Sequence, residues 1–187
     1  MFEAGNLTGI EGSTKSLLGK LLRLLAAVFL FLVLPDSYAA ERLTPRQEAE
    51  QWEEVAKLRL QAARGHELQA ERRRQEAFRT TDGFTTVGDA LDSAGDEEYS
   101  AAEDYQLASK HWERAAKAYR AASDPGKAKA ALENVAMAWD AARRTLREGT
   151  DLYKMAEDQF DSVNNLDKKI KVLKKSARNI ERLMEMK

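Results

Sequence analysis

The chain has 187 residues, no cysteine, two histidines, and 30 basic against 31 acidic residues. Disulfides are therefore excluded, and near-neutrality argues against a general nucleic-acid or membrane-surface binder. His66 and His111 are far apart in sequence and have no cysteine to help, so no metal-ligand spacing exists.

The N-terminal segment differs in kind from the rest. Lys15, Lys20 and Arg23 precede an uncharged run over residues 24–35 (LLAAVFLFLVLP), followed by Asp36, Ser37, Tyr38, Ala39 and Ala40. Twelve residues cover about 18 Å of a hydrocarbon core roughly 30 Å thick, too short to span it. Small residues at Ser37 and Ala39 fit cleavage before Ala40. The expectation is a signal peptide over residues 1–39 and an exported domain over 40–187, periplasmic or secreted. In the alternative, residues 17–22 join the run, Lys20 and Arg23 snorkel, and the segment stays as an inner-membrane anchor. Cleavage removes three basic and three acidic residues, so the net charge of -1 is unchanged.

Thr44-Pro45-Arg46-Gln47 supplies a capping Thr, a first-turn Pro and a Gln three residues on, which places a helix start at 45. This first helix runs to about Arg79 on a thin apolar stripe, Trp52, Val55, Ala56, Leu60 and Ala63. Thr80-Thr81-Asp82-Gly83 marks a turn. A second helix over about 86–122 then carries Val87, Leu91, Ala94, Ala101, Tyr105, Ala108, Trp112, Ala115, Tyr119 and Ala122 at heptad spacing, small residues on one position and aromatics on the other. Only Glu98 interrupts it.

Ser123-Asp124-Pro125-Gly126 reverses the chain in so few residues that the next helix must pack antiparallel. From Pro125, Leu132, Trp139, Leu146, Tyr153 and Phe160 recur every seven residues. Val135, Ala142, Gly149, Ala156, Val163, Ile170, Ala177 and Met184 keep the same period in a neighbouring column. Asn164-Asn165 could end the third helix near 163 and open a fourth over about 166–186. The unbroken heptad phase instead favours one continuous helix to about Met184, roughly 90 Å long. The fold class expected is all-α, an elongated antiparallel bundle or coiled-coil hairpin of three or four long helices.

Charge predicts contacts. Eight acids and no base lie between Asp82 and Asp104, while the first helix carries Lys57, Arg59, Arg64, Arg72, Arg73 and Arg74, so folding back at Gly83 opposes the two sets.

No Gly-rich phosphate loop or nucleophile elbow is present, and pairs such as Glu97-Glu98 and Glu103-Asp104 read as solvated faces. Arg72-Arg73-Arg74 is isolated and lacks interleaved aromatics, so nucleic acid is not an expected partner. Trp112, Tyr119, Trp139 and Tyr153 at heptad spacing read as core rather than as a ligand-lining set. The expectation is a non-enzymatic protein with no cofactor, no metal and no small-molecule substrate.

The C-terminal segment carries Lys168, Lys169, Lys171, Lys174, Lys175, Arg178, Arg182 and Lys187 against Asp167, Glu181 and Glu185. Leu166, Ile170, Leu173, Ala177, Ile180 and Met184 share one side, and together with Lys168, Lys171, Lys174 and Lys175 they are the candidate interaction residues. The same side could equally be bundle core. The function this predicts is that of an exported scaffold, adaptor or self-assembling component working through other proteins or copies of itself. The alternative is an envelope protein held by an uncleaved N-terminal helix or by the basic helix on an anionic membrane surface.

Overall fold

The computed structural model describes residues 43–79 and 83–186, and the expected signal peptide or anchor lies outside them. The described residues form four helices, α1 (Pro45–Arg79), α2 (Phe84–Ala121), α3 (Pro125–Ser162) and α4 (Leu166–Glu185). They run up-down-up-down, with α2 packed along both α1 and α3, and α4 laid against α3. No helix among them is long and apolar enough to cross a membrane.

The start of α1 is built as its sequence dictates. Gln47 N donates to Thr44 Oγ1, and Gln47 Oε1 accepts from Thr44 N at 2.9 Å, a reciprocal cap. Its buried face consists of alanines every seven residues: Ala49, Ala56, Ala63, Ala70 and Ala77, all at most 2% exposed. An equivalent column on α2, Ala94, Ala101, Ala108 and Ala115, is fully buried. Ala49 and Ala56 cluster with Ala115 and Tyr119, Ala63 with Ala101, and Ala77 with Ala94, so the two columns meet antiparallel. Residues this small let the helix axes approach closely. The larger candidates for this face, Trp52, Val55 and Leu60, lie at its edge, half-buried.

Between α2 and α3 the fit is ring over glycine. A Cβ at Gly88 would meet Phe160 Cε1 at 2.5 Å, and one at Gly95 would clash with the Tyr153 ring edge at Cε1. Gly149 makes a third close approach, where an added Cβ would lie 3.3 Å from Gly95 O and 3.2 Å from Asn179 Nδ2. The heptad aromatics are core as expected: Trp112, Tyr119 and Tyr153 are buried and Trp139 is half-buried. Their hydroxyls reach charged partners, Tyr105 donating to Glu67 at 2.9 Å, Tyr119 to Glu53 at 2.5 Å and Tyr153 to Asp96 at 2.8 Å. Burial and these carboxylates push the Tyr105 hydroxyl up to about 12 and those of Tyr119 and Tyr153 higher.

The continuous helix to Met184 is not what forms. The chain breaks at Asn164, which adopts φ +53°. Asn164 N bonds Asp161 O and Asn165 N bonds Phe160 O, the paired closing bonds of a helix end with a left-handed residue. Asn165 Oδ1 then accepts from Lys168 N and caps α4. The Ser123 turn is made the same way: Ser123 is at φ +59°, Asp124 N bonds Tyr119 O, and Asp124 Oδ1 accepts from Lys127 N. Asparagine tolerates the left-handed region and caps well, so two in succession supply both halves of the reversal.

Candidate interaction face on the C-terminal helix

Because the chain reverses at Asn164, α4 returns antiparallel to α3 and parallel to α2. Lys168 Nζ reaches Asp89 at 2.6 Å, Lys175 Nζ reaches Asp92 at 2.6 Å and Asp96 at 2.7 Å, and Arg182 reaches Glu103 at 3.0 Å. Lys171 adds a contact to Asp92 at 3.3 Å. Partners in the Lys168, Lys175–Asp96 and Arg182 pairs are each 79 residues apart, so the ladder fixes the register of α4 on α2. The cations also sit over aromatic rings, Lys168 over Phe160, Lys175 over Tyr153, and Arg178 and Arg182 over Tyr99. Their aliphatic stems thus cover apolar surface, while the charges of Lys168, Lys175 and Arg182 are matched by acids of α2.

The acidic stretch of α2 therefore serves two helices. Asp104 pairs with Arg59 of α1 at 2.9 Å, and Glu97 with His66 at 2.7 Å and Arg73 at 3.6 Å, as charge opposition predicts. Asp89, Asp92, Asp96 and Glu103 face α4 instead.

With its basic side turned inward, α4 buries Val172, Ser176 and Asn179 and turns its apolar stripe outward. Leu166 is 59% exposed, Ile170 49%, Leu173 42%, Ile180 45% and Met184 57%, and Ala177 between them is exposed too. The six apolar candidates are thus brought together on one solvent-facing stripe. The four lysines are not all beside them: Lys168 and Lys175 are drawn into the ladder, Lys171 reaches Asp92 from an exposed position, and Lys174 stays in solvent. The exposed charged residues of α4 are Asp167, Lys171, Lys174, Arg178, Glu181 and Glu185, three of each sign. Four basic side chains of α4, Lys168, Lys169, Lys175 and Arg182, are half-buried in the fold, and the charges left exposed on the helix sum to zero.

A buried carboxylate within the heptad series of α2 lies elsewhere. Glu98, which interrupts the α2 series, is 6% exposed, and its Oε2 has no hydrogen-bond partner among the described residues. Burial, and then the carboxylates of Glu148, Glu67 and Glu71, push its pKa up to about 8, while Arg144 opposes them. It borders a cleft of about 270 Å³ lined by Glu71, Arg74, Glu148 and Asp151 with Leu152 and Met155. A lone protonated carboxyl without a partnered nucleophile or base makes no catalytic set. Nor do the described acidic and histidine side chains form a metal-holding group. His66 stands in the α1–α2 ion pairs, and His111 stacks on Trp52 at 5.4 Å.

The fold defines the class, an all-α antiparallel helical bundle. No protein-family model, curated protein or solved structure matches the chain.

Proposed function

We propose that this protein is an exported, non-enzymatic scaffold or adaptor that binds a helical protein surface along the outward stripe of α4. The observation that carries this is the inversion of α4, which leaves five large aliphatic side chains in water. That amounts to roughly 400 Å² of contiguous apolar surface, the size at which patches on soluble proteins are commonly functional. Removing such a surface from water favours association with a partner that covers it.

Membrane attachment through α4 is the weaker reading, because the lysines that would meet anionic lipid are matched to Asp89, Asp92 and Asp96. Export rests on the order of Lys15, Lys20 and Arg23, the run 24–35 and Ala39-Ala40.

Photo-crosslinking in the producing cell tests both parts. With p-benzoylphenylalanine replacing Leu173 or Ile180, discrete crosslinked adducts are expected. The same probe at Met137, an exposed residue of α3, should yield none. The tryptic digest of the captured protein should begin at Ala40. Equal adducts at all three positions would refute the docking face, and peptides covering residues 24–35 in the captured protein would refute export by cleavage.

A further inference from the structure

The occupant of the α4 stripe can be read from its shape. We infer that it is a second copy of this chain, with two α4 helices pairing antiparallel. The inference rests on the docking reading above.

Three features point to a helix of the same kind. Positions 166, 170, 173, 177, 180 and 184 alternate four and three residues apart, two apolar positions per heptad. That is the width of a two-helix seam, narrower than the three-in-seven face of a helix buried in a groove. The spacing is also palindromic. A two-fold axis across the helix at position 175 sets Leu166 against Met184 of the second copy, Ile170 against Ile180 and Leu173 against Ala177, so every apolar side chain finds a partner and the contact is isologous. In this arrangement the small Ala177 always meets the large Leu173. A parallel pair would set Ala177 on Ala177 and leave a gap in the seam.

The buried area suits such a pair. Two such stripes with their flanking stems bury roughly 1,000 Å², the lower bound for a specific interface, so the dimer should be weak and reversible. The neutral rim of Asp167, Lys171, Lys174, Arg178, Glu181 and Glu185 suits a protein neighbour and gives no net attraction to an anionic surface. Near the axis Lys174 approaches Lys174 of the second copy, and Asp167 approaches Glu181. The pairing should therefore tighten, not weaken, as salt rises.

Sedimentation of the protein as the cell produces it, from about 1 to 100 μM, should show a reversible monomer–dimer equilibrium, and Leu173→Asp or Ile170→Asp should weaken it at least about 100-fold with helicity retained. The cysteine-free background allows an orientation test. Lys174→Cys should be joined to its counterpart by a short bis-maleimide, whereas Leu166→Cys should not, since in the antiparallel pair its two copies lie about 27 Å apart. Joining at Leu166→Cys but not at Lys174→Cys would overturn the antiparallel arrangement. A protein monomeric throughout this range overturns the second copy. If the Leu173 probe still captures another protein, the docking reading survives alone; if it captures nothing, both fall. Binding of the monomer to phosphatidylglycerol vesicles that is lost in Leu173→Asp overturns the second copy in favour of lipid.

Discussion

Stability should fall as pH rises from 4.5 to 8, because of one residue, Glu98. In the folded protein its carboxyl holds a proton up to about pH 8, whereas an unstrained glutamate releases it near 4.5. Between those values the folded state carries one proton more than the unfolded state, so the stabilisation is complete below 4.5 and is lost as pH climbs through 8. Each pKa unit is worth about 1.4 kcal/mol, which makes the loss on the order of several kcal/mol over the window. His111 works in the opposite sense below its ordinary value of 6.5, because burial, and then Arg114 and Arg59, hold its pKa down. The slope is therefore clearest between 6.5 and 8. Urea unfolding at a series of pH values measures it, and Glu98→Gln should remove it. A Gln variant with the same slope would place the titrating group elsewhere.

Replacing Tyr153 by alanine should cost about 3–5 kcal/mol, the upper range for removing a buried aromatic residue. Its ring fills the space over Gly95, its face supports the Lys175 ammonium, and its hydroxyl donates to Asp96. The substitution opens a cavity at the α2–α3 contact and loosens the ladder that positions α4. Tyr153→Phe keeps the ring and loses one hydrogen bond to a charged acceptor, so about 1.5–3 kcal/mol should be lost. Chemical denaturation of the two variants separates packing from polarity. Equal losses would mean that the hydroxyl, not the ring over Gly95, carries the contribution.

Much of the bundle was legible because its helix boundaries are written in local chemistry. Thr44-Pro45 and Asp124-Pro125 supply a cap and a first-turn proline, and both helices start there. Most heptad positions of α2 and α3 are buried as their spacing implies, but Leu132 and Val163, near the two ends of α3, are 39% and 40% exposed. The reversal at Asn164 was harder to read, because the Asn pair lacks the Pro and Gly of the Ser123 turn and the apolar period runs across it unchanged. The alanine column of α1 was legible only in part: Ala56 and Ala63 belong to it, whereas Ala49, Ala70 and Ala77 escape a search for large apolar residues. Their exact sevenfold spacing was the signal that could have found them. Glu98 read as an interruption, yet its position in the period already placed it in the seam.

The six apolar candidates on α4 were identified as one face, but periodicity says which residues share a face and not what that face meets. Here the decision was made by α2. Its acids at 89, 92, 96 and 103 lie opposite four cations of α4, and Phe160, Tyr153 and Tyr99 receive three of them, Lys168, Lys175 and Arg182. Matching them turns Val172, Ser176 and Asn179 inward and leaves the apolar stripe in water.

That inversion is tested most directly by two adjacent substitutions, Val172→Asp and Leu173→Asp, compared by urea unfolding at a protein concentration where wild type is monomeric. Val172 is 1% exposed, so a carboxylate there is buried without a partner and should cost more than about 3 kcal/mol. Leu173 faces solvent, and its substitution should change monomer stability by no more than about 1 kcal/mol. The reverse order, with Leu173→Asp unfolding the protein and Val172→Asp tolerated, would mean that the apolar side of α4 is bundle core and that no docking stripe exists.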